Sequence, residues 1–205
     1  WNWQILKTKT GTDLKDYYEK LLSALGNEPG MLGQMFLQAK NHIGTPARLA
    51  GVIDMIGRET WSGMNTDLKG DIYEELLAKT AEDKKSGAGQ YFTPRVLIDV
   101  MAELIAPEFE DTCFDPACGT FGFMIAADRY VKDHTDDLFD LTVDQQEFQR
   151  TQAFSGCELV HDTHRLALMN AMLHDISGPI YLGDTLSNYG KEMKGYDVVL
   201  TNPPF

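Results

Sequence analysis

From about Thr93 onward the chain alternates short apolar runs with longer segments of helical period, which leaves few folds open to it. The apolar runs are too short for helices, and the segments between them are too long for hairpin turns. Both are buried together by a succession of βαβ units, a parallel sheet with helices on its faces. Strand candidates fall at 112–114, 153–157, 180–182 and 197–200. A helix opens at Thr93-Pro94, with Thr93 suited to the N-cap and Pro94 to the first turn. Its apolar stripe is Val96, Leu97, Val100, Met101, Leu104 and Ile105, and Pro107 ends it. A second helix is predicted over 162–176, with Leu166, Met169, Leu173 and Ile176 on one side. The expected fold is α/β, a Rossmann-like, doubly wound, mostly parallel sheet.

The first third reads differently. Helical patterns recur over 14–25, 31–39 and 49–56, broken by Gly44-Thr45-Pro46, and again at Leu68, Ile72, Tyr73, Leu76 and Leu77 behind an Asp67 N-cap. Residues 81–89 are small and polar, the composition of a flexible linker. The expected organisation is a helical N-terminal region over 1–80, a linker over 81–89 and an α/β domain over 90–205. That domain stops directly after a predicted core strand, so the chain is expected to be a C-terminally truncated fragment.

Composition narrows the class. No apolar stretch reaches the roughly 18 residues of a membrane span, and no basic-then-apolar leader opens the chain. Cys113, Cys118 and Cys157 are odd in number, lack a Cys-x-x-Cys spacing and sit on or beside predicted strands, which suits a reducing cytoplasm rather than disulfides or zinc. The balance of 18 basic against 31 acidic residues gives a net charge of −13. A chain this acidic grips nucleic acid poorly alone, so a DNA substrate would require phosphate contacts from a partner or a further part of the protein.

In a doubly wound sheet the ligand sits at the carboxyl ends of the strands. After the first strand comes Asp115-Pro116-Ala117-Cys118-Gly119-Thr120-Phe121-Gly122, whose small residues allow close backbone approach and whose Asp115 could hold an ammonium or order the loop. It lacks the Gly-x-Gly-x-x-Gly dinucleotide fingerprint. After the second strand, Glu158 can accept both hydroxyls of a ribose, or simply favour a helix N-terminus. After the third, Asp184 can accept from an adenine amino group, or serve as a turn residue.

The last strand candidate leads into Thr201-Asn202-Pro203-Pro204-Phe205. Proline stiffens such a turn, aiming the Asn202 side-chain oxygen and the Pro203 carbonyl at one point. Two acceptors there would hold an exocyclic amino group and localise its nitrogen lone pair, and Phe205 would offer a face on which a flipped base could stack. The chemistry read from this turn together with the Asp115 loop is methyl transfer to nitrogen.

These segments resemble the methylation subunit of type I restriction-modification systems, an S-adenosylmethionine-dependent adenine-N6 DNA methyltransferase family. Gln90-Tyr91-Phe92-Thr93-Pro94-Arg95 looks like the family's cofactor lid, Asp115 to Gly122 its cofactor loop, Glu158 its ribose acid and Asn202 to Phe205 its catalytic loop. The resemblance runs from about Asp67 to the end. It implies S-adenosyl-L-methionine bound by Gln90, Tyr91, Phe92, Thr93, Pro94, Asp115, Ala117, Gly119, Thr120, Glu158 and Asp184. Asn202, Pro203 and Phe205 would hold an adenine flipped out of duplex DNA. It further implies a specificity subunit, a second methylation subunit and, as an optional addition, a restriction subunit. Activity of this chain alone is then expected to be weak or absent. Phe121 departs from the family, which commonly has a small residue there.

Two other functions fit the same turn: N-methylation of a protein glutamine, and a cofactor-binding assembly module without catalysis. The lid segment and the long helical N-terminus favour the DNA family. His161 and His164 lack a third metal ligand at suitable spacing and are expected as exposed helix histidines, so no metal is expected.

Overall fold

The computed structural model describes residues 2–61, 64, 66–83 and 93–204. Two compact units divide the chain, 1–65 and 66–205. The first contains α1 (Trp3–Thr8), α2 (Gly11–Leu25), α3 (Gly30–Phe36) and α4 (Pro46–Arg58). Leu6, Leu14, Leu49 and Ile53 form its buried cluster, with Tyr17, Tyr18, Leu21 and Ile43 packed against it. The Gly44-Thr45-Pro46 break is the start of α4, where the Thr45 hydroxyl accepts from the Arg48 amide at 3.3 Å and Pro46 occupies the first turn.

The second unit opens with α5 (Thr66–Asp83), followed by α6 (Arg95–Ile105). Two features bear on the expected organisation. The helix at 66–83 groups with the sheet rather than with the N-terminal region: it packs on α9 (His161–Leu173), its Gly70 lies directly against the His174 ring, and the Tyr73 hydroxyl faces the Leu166 carbonyl. Burial there pushes the Tyr73 phenol to about 12. The helix also continues through residues 81–83, so the expected linker begins inside it; residues 84–89 lie outside the described residues. Its polar composition contains no Gly or Pro before Gly87, so nothing in the first residues breaks the helix. Asp67 consequently falls within the first turn instead of at the cap.

The sheet comprises β1 (Cys113–Asp115), β2 (Phe154–Glu158), β3 (Ile180–Leu182) and β4 (Val198–Val199), in the order β3-β2-β1-β4 with every pairing parallel. Helices α7 (Gly122–Asp133) and α8 (Val143–Thr151) connect β1 to β2, α9 connects β2 to β3, and a 3-10 turn at Asn188–Glu192 precedes β4. The chain therefore leaves β1 toward one edge and returns on its other side, which creates a topological switch point between β1 and β4. Asp197 fastens that junction, its Oδ2 accepting from the Thr112 amide at 2.9 Å and the Thr112 hydroxyl at 2.7 Å.

Two predicted stripes are displaced. In α6, Ile98 and Ala102 are buried, whereas Val96 is 75% and Leu104 80% exposed. In α9 the buried face is His164, Ala167, Leu168, Asn170 and Ala171, while Met169 is exposed. Small alanines let this helix approach the sheet closely, so residue size misled the choice of face. His164 corrects the expectation of an exposed histidine: it is buried, with Nε2 2.8 Å from the Ile180 carbonyl oxygen. Among the described residues no helix is long and apolar enough to cross a membrane.

Candidate active site

Asp115 ends β1 one residue later than the strand candidate, and is 1% exposed. Burial pushes its carboxyl up to about 6, while the neighbouring Thr201 hydroxyl and the Ala117 amide, which donates to Oδ1 at 3.0 Å, pull it back; the charge of Glu158 raises it again. An acid so placed gains much from a cation brought to its side. The adjoining thiols are held protonated by burial, Cys113 at about 12 and Cys118 well above its ordinary value, and all three cysteines are unbridged.

The loop after β1 is tied from several directions. The Cys118 amide donates to the Cys157 carbonyl at 2.9 Å, and the Gly119 amide to Glu158 Oε2 at 3.0 Å. Glu158 ends β2, and its other oxygen accepts from the Val160 amide at 2.7 Å. Each carboxylate oxygen keeps a second lone pair, so the acid can orient the loop and still accept ligand hydroxyls. From α9, Asn170 Nδ2 donates to the Thr120 carbonyl at 2.9 Å; from beyond β3, the Thr185 hydroxyl donates to the Pro116 carbonyl at 2.9 Å. Asp184 beside it forms an Asx turn to the Leu186 amide at 2.9 Å and is otherwise exposed.

Phe121 caps α7 with a left-handed backbone at φ 73° and is fully buried. Its ring packs beneath the loop on Gly156, where an added Cβ would sit 3.1 Å from the ring and 2.8 Å from the Cys118 Cβ. The bulky residue thus fills the floor of the loop.

The catalytic-turn candidate follows β4. Leu200 is buried and its amide donates to the Phe114 carbonyl at 3.2 Å; Asn202, Pro203 and Pro204 then emerge into solvent. Asn202 Nδ2 donates to the Thr93 hydroxyl at 3.1 Å, leaving the amide oxygen turned elsewhere. Thr93 was expected to cap α6, but that helix starts at Arg95 behind Pro94 and its N-cap makes no side-chain bond, so the hydroxyl serves the turn. Arg95 in turn pairs with Asp71 and Glu74 of α5, each at 2.9 Å. Burial raises the Glu74 carboxyl although Arg95 and Arg129 oppose it. Gln90, Tyr91, Phe92 and Phe205 lie outside the described residues.

Asp115, Ala117, Gly119, Thr120 and Glu158 each take part in a hydrogen bond within or onto the loop after β1, and Asn202 stands on the turn two residues beyond Leu200. Sequence reasoning missed Asn170, Thr185 and Thr201. For Asn170 a signal existed, a single amide side chain between Ala167 and Ala171 in a helix that had to bury one face. Among the described residues no group of His, Cys, Asp or Glu could hold a metal ion.

Comparison with known proteins bears on this arrangement. The StySPI methylase subunit of a type I restriction enzyme from Salmonella potsdam is 44% identical over the whole chain, which spans 41% of that protein. The crystal structure of the EcoKI M protein, from a type I restriction enzyme of Escherichia coli, matches with 36% identity and a TM-score of 0.55, covering all of this chain and 38% of that one. The methyltransferase subunit of a type I system from Streptococcus thermophilus shares the fold, with a TM-score of 0.70 at 23% identity over 90% of this chain and 39% of that one. The chain spans about two fifths of the curated relative's length. Residues 64–205 match the family model described as N-6 DNA Methylase, and the chain belongs to that family.

Proposed function

We propose that the chain carries the cofactor site and catalytic turn of a type I restriction-modification methylation subunit, which methylates the N6 amino group of adenine in duplex DNA. The observation that carries this reading is the tied loop of Asp115, Gly119 and Glu158 beside the Asn202 turn at one switch point. S-adenosyl-L-methionine, when bound, supplies an electrophilic methyl group on a positively charged sulfur. Asp115 would face its ammonium, which suits a buried carboxyl whose charged form has no cationic partner among the described residues. Glu158 would take the ribose hydroxyls with its remaining lone pairs, and exposed Asp184 the adenine amino group. Gln90 to Pro94 would close the site, with Ala117 and Thr120 lining the loop.

Asn202 Oδ1 and the Pro203 carbonyl would accept the two protons of the target N6 amino group. That pulls the nitrogen lone pair out of conjugation with the ring and points it at the methyl carbon, so orientation and electrostatics replace a strong base. Asn202 and Pro203 would hold the N6 protons while the methyl group passes from sulfur to nitrogen, and the proton released from that nitrogen would go through these acceptors to solvent water. Phe205 would stack on the flipped base.

The net charge of −13 supports an assembly in which other subunits hold the DNA, namely a specificity subunit, a second methylation subunit and, in a nuclease-bearing form, a restriction subunit, and the three cysteines without a Cys-x-x-Cys spacing suit a cytoplasmic setting. The family match weighs against glutamine methylation. The test uses the full-length methylation subunit assembled with its DNA-reading partner. Methyl transfer to adenine should be abolished by Asn202→Ala while cofactor binding persists; full activity in that variant would overturn the assignment.

A further inference from the structure

Asn170 stands out among groups outside the predicted site. It is 1% exposed on α9, its Nδ2 holds the Thr120 carbonyl at 2.9 Å, and its Oδ1 is buried without a hydrogen-bond partner among the described residues. A buried acceptor left unpaired costs stability, and an apolar side chain of the same size would avoid that cost. Thr120 occupies a sensitive place. Gly119 before it has φ 53° and donates to Glu158, while Phe121 after it has φ 73° and starts α7. Two left-handed residues flank Thr120, whose carbonyl is held by this one side chain.

We infer that Asn170 is a positioning residue for the cofactor loop, fixing the Thr120 peptide so that Gly119 meets Glu158 and the loop's backbone stays open to the methionine end of the cofactor. The inference rests on the cofactor reading above. Its distinguishing feature is an opposition between stability and loop order: removing the amide relieves an unpaired acceptor and releases the loop at the same time.

The experiment replaces Asn170 with Leu and with Ala in this chain, the second substitution covering a failure of the first to pack. Thermal melting, amide hydrogen exchange and S-adenosylmethionine calorimetry are then read on each. In Asn170→Leu the loss of the unpaired Oδ1 and the stranding of the Thr120 carbonyl offset each other, so the melting temperature should change little. Exchange at the Gly119 and Phe121 amides should accelerate about fivefold, the worth of one neutral hydrogen bond, while the Cys113 and Gly156 amides within the sheet keep their rates. Cofactor affinity should fall by a similar factor. Unchanged exchange at Gly119 and Phe121 would overturn the inference, as would uniform acceleration through the sheet, which marks a merely structural residue. A wild-type chain that does not bind the cofactor would sink the cofactor reading, and the exchange rates would still decide the role of Asn170.

Discussion

Phe121 allows a quantitative prediction, because two effects that usually oppose each other can be separated there. The side chain is fully buried and the backbone is left-handed. Truncating a buried Phe to Ala costs about 3–5 kcal/mol. Ala keeps the left-handed strain of about 1–2 kcal/mol that an L side chain suffers there, and only Gly relieves it. Gly brings back about 0.5–1 kcal/mol through the greater freedom of the unfolded chain. Phe121→Gly should therefore be destabilised less than Phe121→Ala, by about 0.5–1 kcal/mol, reversing the usual order of the two residues. Trp1, Trp3 and Trp61 all lie within residues 1–65, so tryptophan fluorescence reports the other unit. Native-state hydrogen exchange at the Phe154–Glu158 amides reports the unit that matters, and Phe121→Ala should exchange about two to five times faster than Phe121→Gly. Equal rates, or a faster Gly variant, would refute the claim that the loop imposes a left-handed residue at this position.

Other consequences follow from the same geometry. The Asp115 carboxyl is raised in the fold from 3.8 to about 6, so its contribution to stability is present below its unfolded pKa and lost as pH rises through 6. Asp115→Asn should gain on the order of 2–3 kcal/mol over wild type at pH 8 and little at pH 4, measured by urea denaturation. In the wild type the charged carboxylate is the form that pairs with an ammonium, so cofactor affinity should drop toward about tenfold per pH unit below 6; a flat profile from pH 5 to 8 would contradict this. Gly70→Ala should destabilise the second unit by about 1–3 kcal/mol, since the added methyl meets the His174 ring; an unchanged melting temperature would remove that contact from the account. Thr93→Val should release the Asn202 amide, seen as loss of its side-chain NMR shift, and Thr93→Ser should restore it.

Much of the architecture was legible because it is written in periodicity. Strand runs at 153–157 and 180–182 lie within a residue of β2 and β3, and the Gly44-Thr45-Pro46 break marks a helix start. Asp115 and Glu158 were singled out because acids at strand ends are few. The misreadings share one cause, that contacts between elements are not local. Nothing along residues 66–83 reveals that the helix belongs beside α9, because the decisive fact is a glycine meeting a histidine about a hundred residues away. The face of α9 was misassigned since Ala167 and Ala171 carry little hydrophobic weight yet permit the closest approach to the sheet. Thr93 was read as a cap because its neighbour is Pro94, and only the folded chain brings Asn202 to its hydroxyl. The side chains that tie the loop, Asn170 and Thr185, are ordinary residue types whose partners are set by topology.

The central claim is that the β1–β4 switch point of this chain holds S-adenosyl-L-methionine through Asp115 and Glu158. Calorimetric titration of the cofactor into the purified chain at pH 7.5, beside Asp115→Ala and Glu158→Ala variants shown to be folded, tests it most directly. The account predicts saturable binding to the wild-type chain and its loss in both variants. Binding of equal strength in all three proteins would contradict it.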